Sequence, residues 1–242
     1  MKKKIMLLDG GMGQELIKNS KSDPHTLWST YVMLKEPELV KKAHVDFIEA
    51  GASVVTLNTY STTPERLETN NLIDKFSFFH KKAIDLAREA IDHTQKDVLI
   101  AGCLPPLVWS YRPDKAPDYD KCVDLYLRIV REQENFVDLF VCETMASIKE
   151  AKAAVMAAKT SGKTIWCGLT LEDNQSCELR SGEKLIDSVN ELQSLGQEEF
   201  VLNCSFPEVI DKGITILSRN SKFFGGYGNG FKSIEPLKTA SD

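Results

Sequence analysis

The feature that most constrains the fold is a repeated order, in which a short apolar run is followed by a longer segment of helical period. The predicted strands are residues 5–8, 53–57, 98–103, 139–142, 164–170, 199–204 and 223–227. The predicted helices are residues 38–50, 72–93, 119–135, 147–161, 184–195 and 207–218. Strands joined through helices must be parallel, and parallel sheets bury both faces. The sequence therefore predicts an α/β protein with a parallel sheet.

The ends of the predicted strands distinguish two parallel folds, the doubly wound sheet and the (β/α)8 TIM barrel. Nearly every strand ends in a polar or glycine-rich motif, namely LLDGG, TLNTY, AGCLPP, VCET, GLTLED, VLNCS and GYGNG. A doubly wound sheet concentrates its ligand site at one crevice, whereas a barrel carries site residues on many strand ends. We predict a single (β/α)8 barrel domain over residues 1–242, truncated after strand seven. The unpaired edges of such a barrel favour association, so a homo-oligomer is an open alternative.

Composition excludes several classes of partner. The net charge of −5 arises from mixed acidic and basic residues without a long basic run, which argues against nucleic acid. The lysines at the N-terminus precede only four apolar residues before Asp9, fewer than a signal peptide needs, and no apolar run could span a membrane. We therefore predict a cytoplasmic protein. The six cysteines are scattered without a CxxC pair, which predicts reduced thiols.

Three strand ends carry side chains suited to chemistry. Asp9, followed by Gly10 and Gly11, lies at the end of the first strand, Glu143 at the end of the fourth, and Cys204 at the end of the sixth. Carboxylates and a thiol at the same barrel rim could bind a substrate or a metal ion. Each also has a simpler interpretation: a flexible glycine turn, a solvated loop acid, and a small core cysteine. The histidines lie away from strand ends, which disfavours a histidine base.

Six motifs resemble those of the homocysteine S-methyltransferase family, in the same order and spacing: LLDGGMGQEL, LNTYSTTPERL, AGCLPP, VCETMASIKEA, VLNCSFPE and GGYGNGF. The resemblance covers nearly the whole chain. It implies a (β/α)8 barrel that binds Zn²⁺ through three cysteines. It also implies that the barrel methylates the sulfur of homocysteine, giving methionine, with S-methylmethionine, S-adenosylmethionine or a related compound as the donor. The implied partners are small molecules.

The resemblance also implies roles for individual positions. Cys204 matches the first zinc ligand. Asp9 and Glu143 match acids that hold the amino group of homocysteine. The remaining matches are Gly10 and Gly11 for the adjoining backbone, Asn58, Thr59 and Asn203 for mouth positions, and Asn229 for the asparagine of the strand-seven motif.

The implied chemistry depends on a zinc-bound sulfur. Three protein thiolates leave the fourth tetrahedral position for the substrate, whose thiol then loses its proton at neutral pH. The family's second and third cysteines come from a GGCC motif after strand eight, which this sequence does not contain. We therefore expect impaired catalysis from the chain as printed. Three hypotheses follow: a zinc enzyme active when the missing part is restored, an inactive homologue that at most binds a small amino acid, and a metal-free barrel enzyme.

Overall fold

The computed structural model describes residues 5–231 and 234–235. The chain divides into two compact units. The first unit comprises Met1–Cys103 and Arg131–Leu139, and the second comprises Leu104–Val130 and Phe140–Asp242. The single domain over residues 1–242 stays a prediction.

The first unit combines a pair of parallel strands with a layer of helices. Its elements are α1 (Met12–Asn19), α2 (Trp28–Lys35), α3 (Pro37–Glu49), β1 (Val54–Thr56), α4 (Pro64–Thr69), a 3-10 turn (Ile73–Lys75), α5 (Phe76–Thr94) and β2 (Leu99–Leu104), whose last residue belongs to the second unit. Strand β1 pairs with β2, with Val54 opposite Leu99. Helices α3 and α5 pack together, and their apolar residues, including Val40 and Phe79, are buried. Burial of these apolar faces holds the unit together.

The second unit is built on four strands in the order β3-β4-β5-β6. Its elements are a 3-10 turn (Pro113–Lys115), α6 (Tyr119–Gln133), β3 (Leu139–Met145), α7 (Ile148–Lys159), β4 (Thr164–Leu169), α8 (Leu185–Ser194), β5 (Glu199–Asn203), α9 (Pro207–Asn220) and β6 (Phe223–Tyr227). The end of α6 and the first residue of β3 belong to the first unit. Strand β5 pairs in parallel with β4 and with β6. Parallel pairing places the carboxyl ends of β4, β5 and β6 at one edge.

Six of the seven predicted strands are confirmed as β1 to β6. Residues 5–8 form a strand only in part, because Leu8 makes an isolated parallel bridge to Val54 while Ile5 and Leu7 are 91% and 54% exposed. All six predicted helices are present with bounds shifted by a few residues. Ser147 caps α7, since its hydroxyl accepts a hydrogen bond from the Glu150 amide.

The prediction missed α1, α2 and α4. Helix α1 begins at Met12, directly after Gly10 and Gly11, for which a flexible turn was the simpler interpretation. Within residues 5–231 and 234–235, no helix has the length and hydropathy needed to cross a membrane. The cytoplasmic location and the homo-oligomer stay predictions.

Candidate functional site

Cys204 lies in the second unit, directly after β5, and its sulfur contacts polar side chains. The thiol accepts a hydrogen bond from the Thr144 hydroxyl at 3.1 Å and one from the Asn203 amide at 3.4 Å. The side chain of Tyr111 also hydrogen-bonds to this sulfur. The interpretation of Cys204 as a simple apolar core residue is therefore not supported, because a core cysteine packs against apolar side chains.

Two residues that are not glycine adopt the left-handed backbone conformation at this point. Cys204 has a φ of 54° and Thr144, within β3, has a φ of 60°. This region is unfavourable for residues with a Cβ, by ~1–2 kcal/mol each, and a β-branched threonine is rare there. Such conformations persist where the surroundings hold them and cluster at functional sites. The strain at adjoining residues marks this part of the unit as a candidate site.

Asn203, the last residue of β5, connects the thiol to a carboxylate. Its Oδ1 accepts a hydrogen bond from the Thr144 amide at 3.0 Å, and its Nδ2 donates to the Tyr227 hydroxyl at 2.9 Å. That hydroxyl donates in turn to Glu143 Oε2 at 3.4 Å. Asn203 is fully buried, so in this arrangement its amide orders the neighbouring side chains. Glu143 and Cys204, two predicted site residues, are thereby linked within one unit.

The protonation of Cys204 follows from this environment. Burial raises the pKa of the thiol to about 11, and the nearby Glu143 carboxylate raises it as well. The hydrogen bonds from Thr144 and Tyr111 and the positive charge of Arg180 act in the opposite direction. By themselves these groups leave Cys204 a neutral thiol at pH 7. Burial raises the pKa of Cys167, a residue of the apolar core, to about 12.

Asp9 belongs to the first unit and is held against the end of β1. Its carboxylate accepts hydrogen bonds from the Thr56 amide at 2.8 Å and from the Thr56 hydroxyl at 3.1 Å. A Cβ added to Gly10 would lie 2.5 Å from the ring of Phe47, so glycine lets the backbone approach this side chain of α3 closely. Gly11 precedes α1, and its carbonyl accepts the hydrogen bond from the Glu15 amide. The glycine motif thus positions a helix start in addition to a turn.

Asn58 and Thr59 follow β1 and are buried in the first unit. The Asn58 amide donates to the Ser29 carbonyl at 3.1 Å, and the Thr59 hydroxyl accepts from Gln133 at 3.3 Å. Gln133 also donates to the ring of His80, a contact that sequence reasoning did not find. The mouth positions implied by the resemblance are therefore engaged in internal hydrogen bonds, and their contact with a substrate stays a prediction.

Asn229 follows β6 in the second unit. Its backbone amide donates to the Ser205 carbonyl at 3.0 Å, and its side-chain oxygen accepts from the Phe231 amide at 3.2 Å. Its position beside the turn that carries Cys204 agrees with a place near the candidate site. Its role in substrate binding stays a prediction.

Several residues of the candidate site were not singled out from the sequence, namely Thr144, Tyr227, Tyr111 and Arg180. Thr144 and Tyr227 lie inside the strand-end motifs VCET and GGYGNGF, so the sequence contained a signal for both. Tyr111 and Arg180 lie in loops without a recognisable pattern, and only the folded chain brings them to Cys204.

The part of the chain that the structure describes does not form the three-thiolate zinc site that the resemblance implies. Structural and catalytic zinc sites use three or four protein ligands. Among residues 5–231 and 234–235, no group of three histidine, cysteine, aspartate or glutamate side chains could hold a metal ion. Every cysteine and histidine of the sequence lies within these ranges. Within the described ranges Cys204 therefore does not have the two further ligands that such a site needs.

The comparison of this fold with solved structures identifies the class of protein. A crystal structure of the homocysteine methyltransferase MmuM from Escherichia coli in its metallated form superposes with a TM-score of 0.84 at 24% identity, and the match covers 99% of this chain and 89% of that one. Together with the parallel strands, the helices between them and the polar strand ends, this match confirms the predicted α/β fold of the (β/α)8 barrel class.

Sequence comparison then defines the family. The family model described as "Homocysteine S-methyltransferase" matches residues 6–240, and the chain belongs to this family. The homocysteine S-methyltransferase of Escherichia coli is 27% identical over 233 residues, which are 90% of this chain and 71% of that protein. Homocysteine S-methyltransferase YbgG of Bacillus subtilis is 25% identical over 255 residues, covering 96% and 79%. The family predicted from the six motifs is confirmed.

Proposed function

We propose that this chain binds homocysteine and transfers a methyl group to its thiol, giving methionine, with a sulfonium or related compound as the donor. The observation that supports this most directly is the link from the Glu143 carboxylate through Tyr227 and Asn203 to the Cys204 sulfur. An amino acid with a thiol needs an anionic partner for its ammonium and a polar environment for its sulfur. Both lie toward the carboxyl ends of strands of one unit.

Each side chain then has a defined task. Glu143 accepts hydrogen bonds from the substrate ammonium, and Tyr227 fixes the orientation of that carboxylate. Asp9 is the other acid that the resemblance assigns to the ammonium, and within the first unit Thr56 orients its carboxylate oxygens. In the reaction the substrate sulfur attacks the donor methyl carbon. A sulfur–carbon bond forms, the donor's bond to that methyl breaks with its electron pair remaining on the donor sulfur, and the thiol proton passes to solvent.

Whether the chain binds zinc is to be measured directly. Zn²⁺ is the cofactor that the family resemblance implies, and Cys204 is the ligand that this chain would offer. The described residues supply no second and third ligand, so no step is assigned to the metal. The zinc content per chain, measured by mass spectrometry on the purified protein, determines whether the protein binds the ion.

The test combines binding and turnover. Calorimetric titration with homocysteine, methionine and alanine measures whether the site requires a sulfur and an ammonium. Incubation with homocysteine and S-methylmethionine carrying a ¹³C methyl group measures labelled methionine. Glu143→Gln should weaken homocysteine binding about 10- to 100-fold, since a hydrogen bond to a charged group contributes ~1.5–3 kcal/mol.

The matched control for this substitution is Glu208→Gln, which removes an exposed acid in the first turn of α9. Its homocysteine affinity should equal that of the unaltered chain. Equal affinity of the Glu143→Gln variant would contradict the placement of the ammonium at Glu143.

A second function, homocysteine binding without methyl transfer, is favoured by the single thiol. The described residues hold no group of three side chains that could bind a metal ion, so the metal activation of the substrate sulfur that the resemblance implies lacks its second and third ligands there. Saturable homocysteine binding in a protein that contains no zinc and forms no labelled methionine would select this function over catalysis.

A further inference from the structure

Arg180 is a buried arginine in the loop between β4 and α8, and nearly all of its side chain is removed from solvent. The side chain is 1% exposed, and Nη2 contacts Asp173 Oδ2 at 3.1 Å. Nε donates to the Thr170 hydroxyl at 3.2 Å. The guanidinium carbon also lies 4.8 Å from the centroid of the Tyr111 ring, within the range of a cation–π interaction. A buried charged group needs such partners to offset the loss of its hydration, and the Arg180 guanidinium has them.

The same guanidinium contacts the residue that carries the candidate thiol. Nη2 of Arg180 donates to the Cys204 carbonyl at 3.2 Å, and the Thr170 hydroxyl donates to that carbonyl at the same distance. Tyr111, on which Arg180 stacks, hydrogen-bonds to the sulfur of the same residue. Arg180 therefore restrains Cys204 at its backbone directly and at its side chain through Tyr111.

The residues after Cys204 are held by the same loop. The Leu171 amide donates to the Ser205 hydroxyl at 2.8 Å, and the Ser205 hydroxyl donates to the Leu171 carbonyl at 3.1 Å. The Phe206 amide donates to Asp173 Oδ1 at 2.9 Å, while the other oxygen of Asp173 contacts Arg180. The turn 204–206 is thus fixed to the segment 170–173 by a hydrogen-bond network that includes the pair Asp173–Arg180.

We infer that Arg180 is a positioning residue, which holds Cys204 in the left-handed conformation that places its sulfur against the Thr144 hydroxyl. The inference rests on the proposed function, because it assigns the purpose of that orientation to the binding of a substrate sulfur. The φ of 54° at Cys204 is unfavourable unless the surroundings restrain the backbone. The hydrogen bonds from Arg180 and Thr170 supply such a restraint, because both are made to the carbonyl of Cys204.

A direct role in binding the substrate carboxylate is less consistent with the geometry. The guanidinium already contacts Asp173, Thr170 and the Cys204 carbonyl, and its Nη1 faces Glu172 Oε2 at 3.8 Å. These partners occupy the planar fork with which an arginine would hold a carboxylate.

The experiment uses the full chain with two substitutions at one position. Arg180→Met removes the charge and all donors, whereas Arg180→Lys keeps the charge but lacks the planar fork that reaches several acceptors. Arg88→Met is the control, because Arg88 also stacks on an aromatic ring, at 5.1 Å from the centroid of Phe136, but lies on α5 in the first unit. Amide hydrogen exchange is measured at Phe206 and Leu171, and kinetic constants are measured for homocysteine methylation.

In Arg180→Met, exchange at the Phe206 and Leu171 amides should rise at least about 10-fold, while amides of β5 and α9 keep their rates. The kcat should fall at least about 10-fold, because a small misplacement of a reacting group lowers the rate steeply, and the KM for homocysteine should change less than about threefold. Arg180→Lys should show smaller changes in the same directions, and Arg88→Met should show none.

Each other result has a defined meaning. Unchanged exchange at Phe206 and Leu171 in Arg180→Met overturns the inference, as does a uniform rise over the whole chain in both Arg180 variants, which would indicate a general structural role. If Arg180→Met does not fold, Arg180→Lys supplies the same comparison. An unaltered chain without methyl transfer contradicts the proposed catalysis alone, since the exchange measurement still decides whether Arg180 holds the turn.

Discussion

Replacement of Gly168 by alanine tests the packing that places Asn203 beside Thr144. Gly168 lies on β4, and a Cβ at this position would be 2.8 Å from the Cys142 carbonyl oxygen and 3.2 Å from Asn203 Oδ1. The carbonyl belongs to a strand backbone and cannot rotate away. Relief of the contact must therefore shift a strand or displace the Asn203 amide, which accepts a hydrogen bond from the Thr144 backbone.

The magnitude follows from these two contributions. Overpacking of a strand interior costs ~1–3 kcal/mol, and loss of a buried hydrogen bond adds ~1 kcal/mol. We expect Gly168→Ala to lower the free energy of unfolding by about 2–4 kcal/mol, measured by urea denaturation. Homocysteine affinity should fall as well, because Asn203 connects Tyr227 with Cys204.

Gly225→Ala is the matched control, since it also places a methyl group on a strand of the second unit. The added Cβ would lie 3.8 Å from Val201 Cγ1, an ordinary van der Waals distance. We expect its free energy of unfolding to stay within about 1 kcal/mol of the unaltered chain, because glycine-to-alanine changes without strain have small effects. Equal stabilities of the two variants, within about 0.5 kcal/mol, would refute the packing argument.

Three further predictions concern buried groups elsewhere in the chain. Burial lowers the pKa of His44 from 6.5 to about 4, so the contribution of the neutral imidazole to stability is complete above pH 6.5 and is lost as the pH falls toward 4. His44→Leu should therefore remove about 2 kcal/mol of the stability that the chain loses between pH 7 and pH 5. The same dependence of the free energy of unfolding on pH in both chains, measured by urea denaturation, would contradict this. Tyr126→Phe removes the donor to the Pro105 carbonyl at 2.9 Å and should lower the free energy of unfolding by ~1–3 kcal/mol in urea, whereas an unaltered midpoint would count against that bond. Gly10→Ala should lower the free energy of unfolding by ~1–3 kcal/mol through contact with the Phe47 ring. Phe47→Leu in the same chain should recover part of that loss in thermal unfolding, and no recovery would show that this contact is not the cause.

The strands could be predicted because buried parallel strands appear as continuous apolar runs with turn residues after them. The same pattern failed at residues 5–8, where an apolar run is present but Ile5 and Leu7 remain exposed. Helix α2 was missed because it is buried at Ser29, Thr30, Val32 and Met33, on more than one side, and so has no amphipathic period. Helix α4 did carry a signal, since Thr63 caps it and Pro64 begins it.

The candidate site could be predicted to the level of strand ends but not of contacts. Glu143, Asn203 and Cys204 follow from the rule that carboxyl ends of parallel strands meet at one edge, and hydrogen bonds link them as that rule expects. Arg180 could not be found in this way, because it precedes Cys204 by a whole strand and helix and reaches it through tertiary contacts alone. Loop residues that support a site have no periodicity from which to infer them.

The contrast between Cys204 and Cys167 separates a site cysteine from a core cysteine in the same unit. Burial governs Cys167, whose pKa is raised to about 12. Cys204 is only partly exposed, yet side chains of Thr144, Asn203 and Tyr111 direct hydrogen bonds at its sulfur. A neutral thiol is a weak acceptor and gains little from so many donors, whereas a thiolate gains much from each. The donors are therefore arranged for a sulfur that carries negative charge, although burial and Glu143 keep the free thiol protonated. A positively charged ligand at this point would reverse that balance, which is why zinc content and homocysteine binding are the measurements that bear most directly on the function.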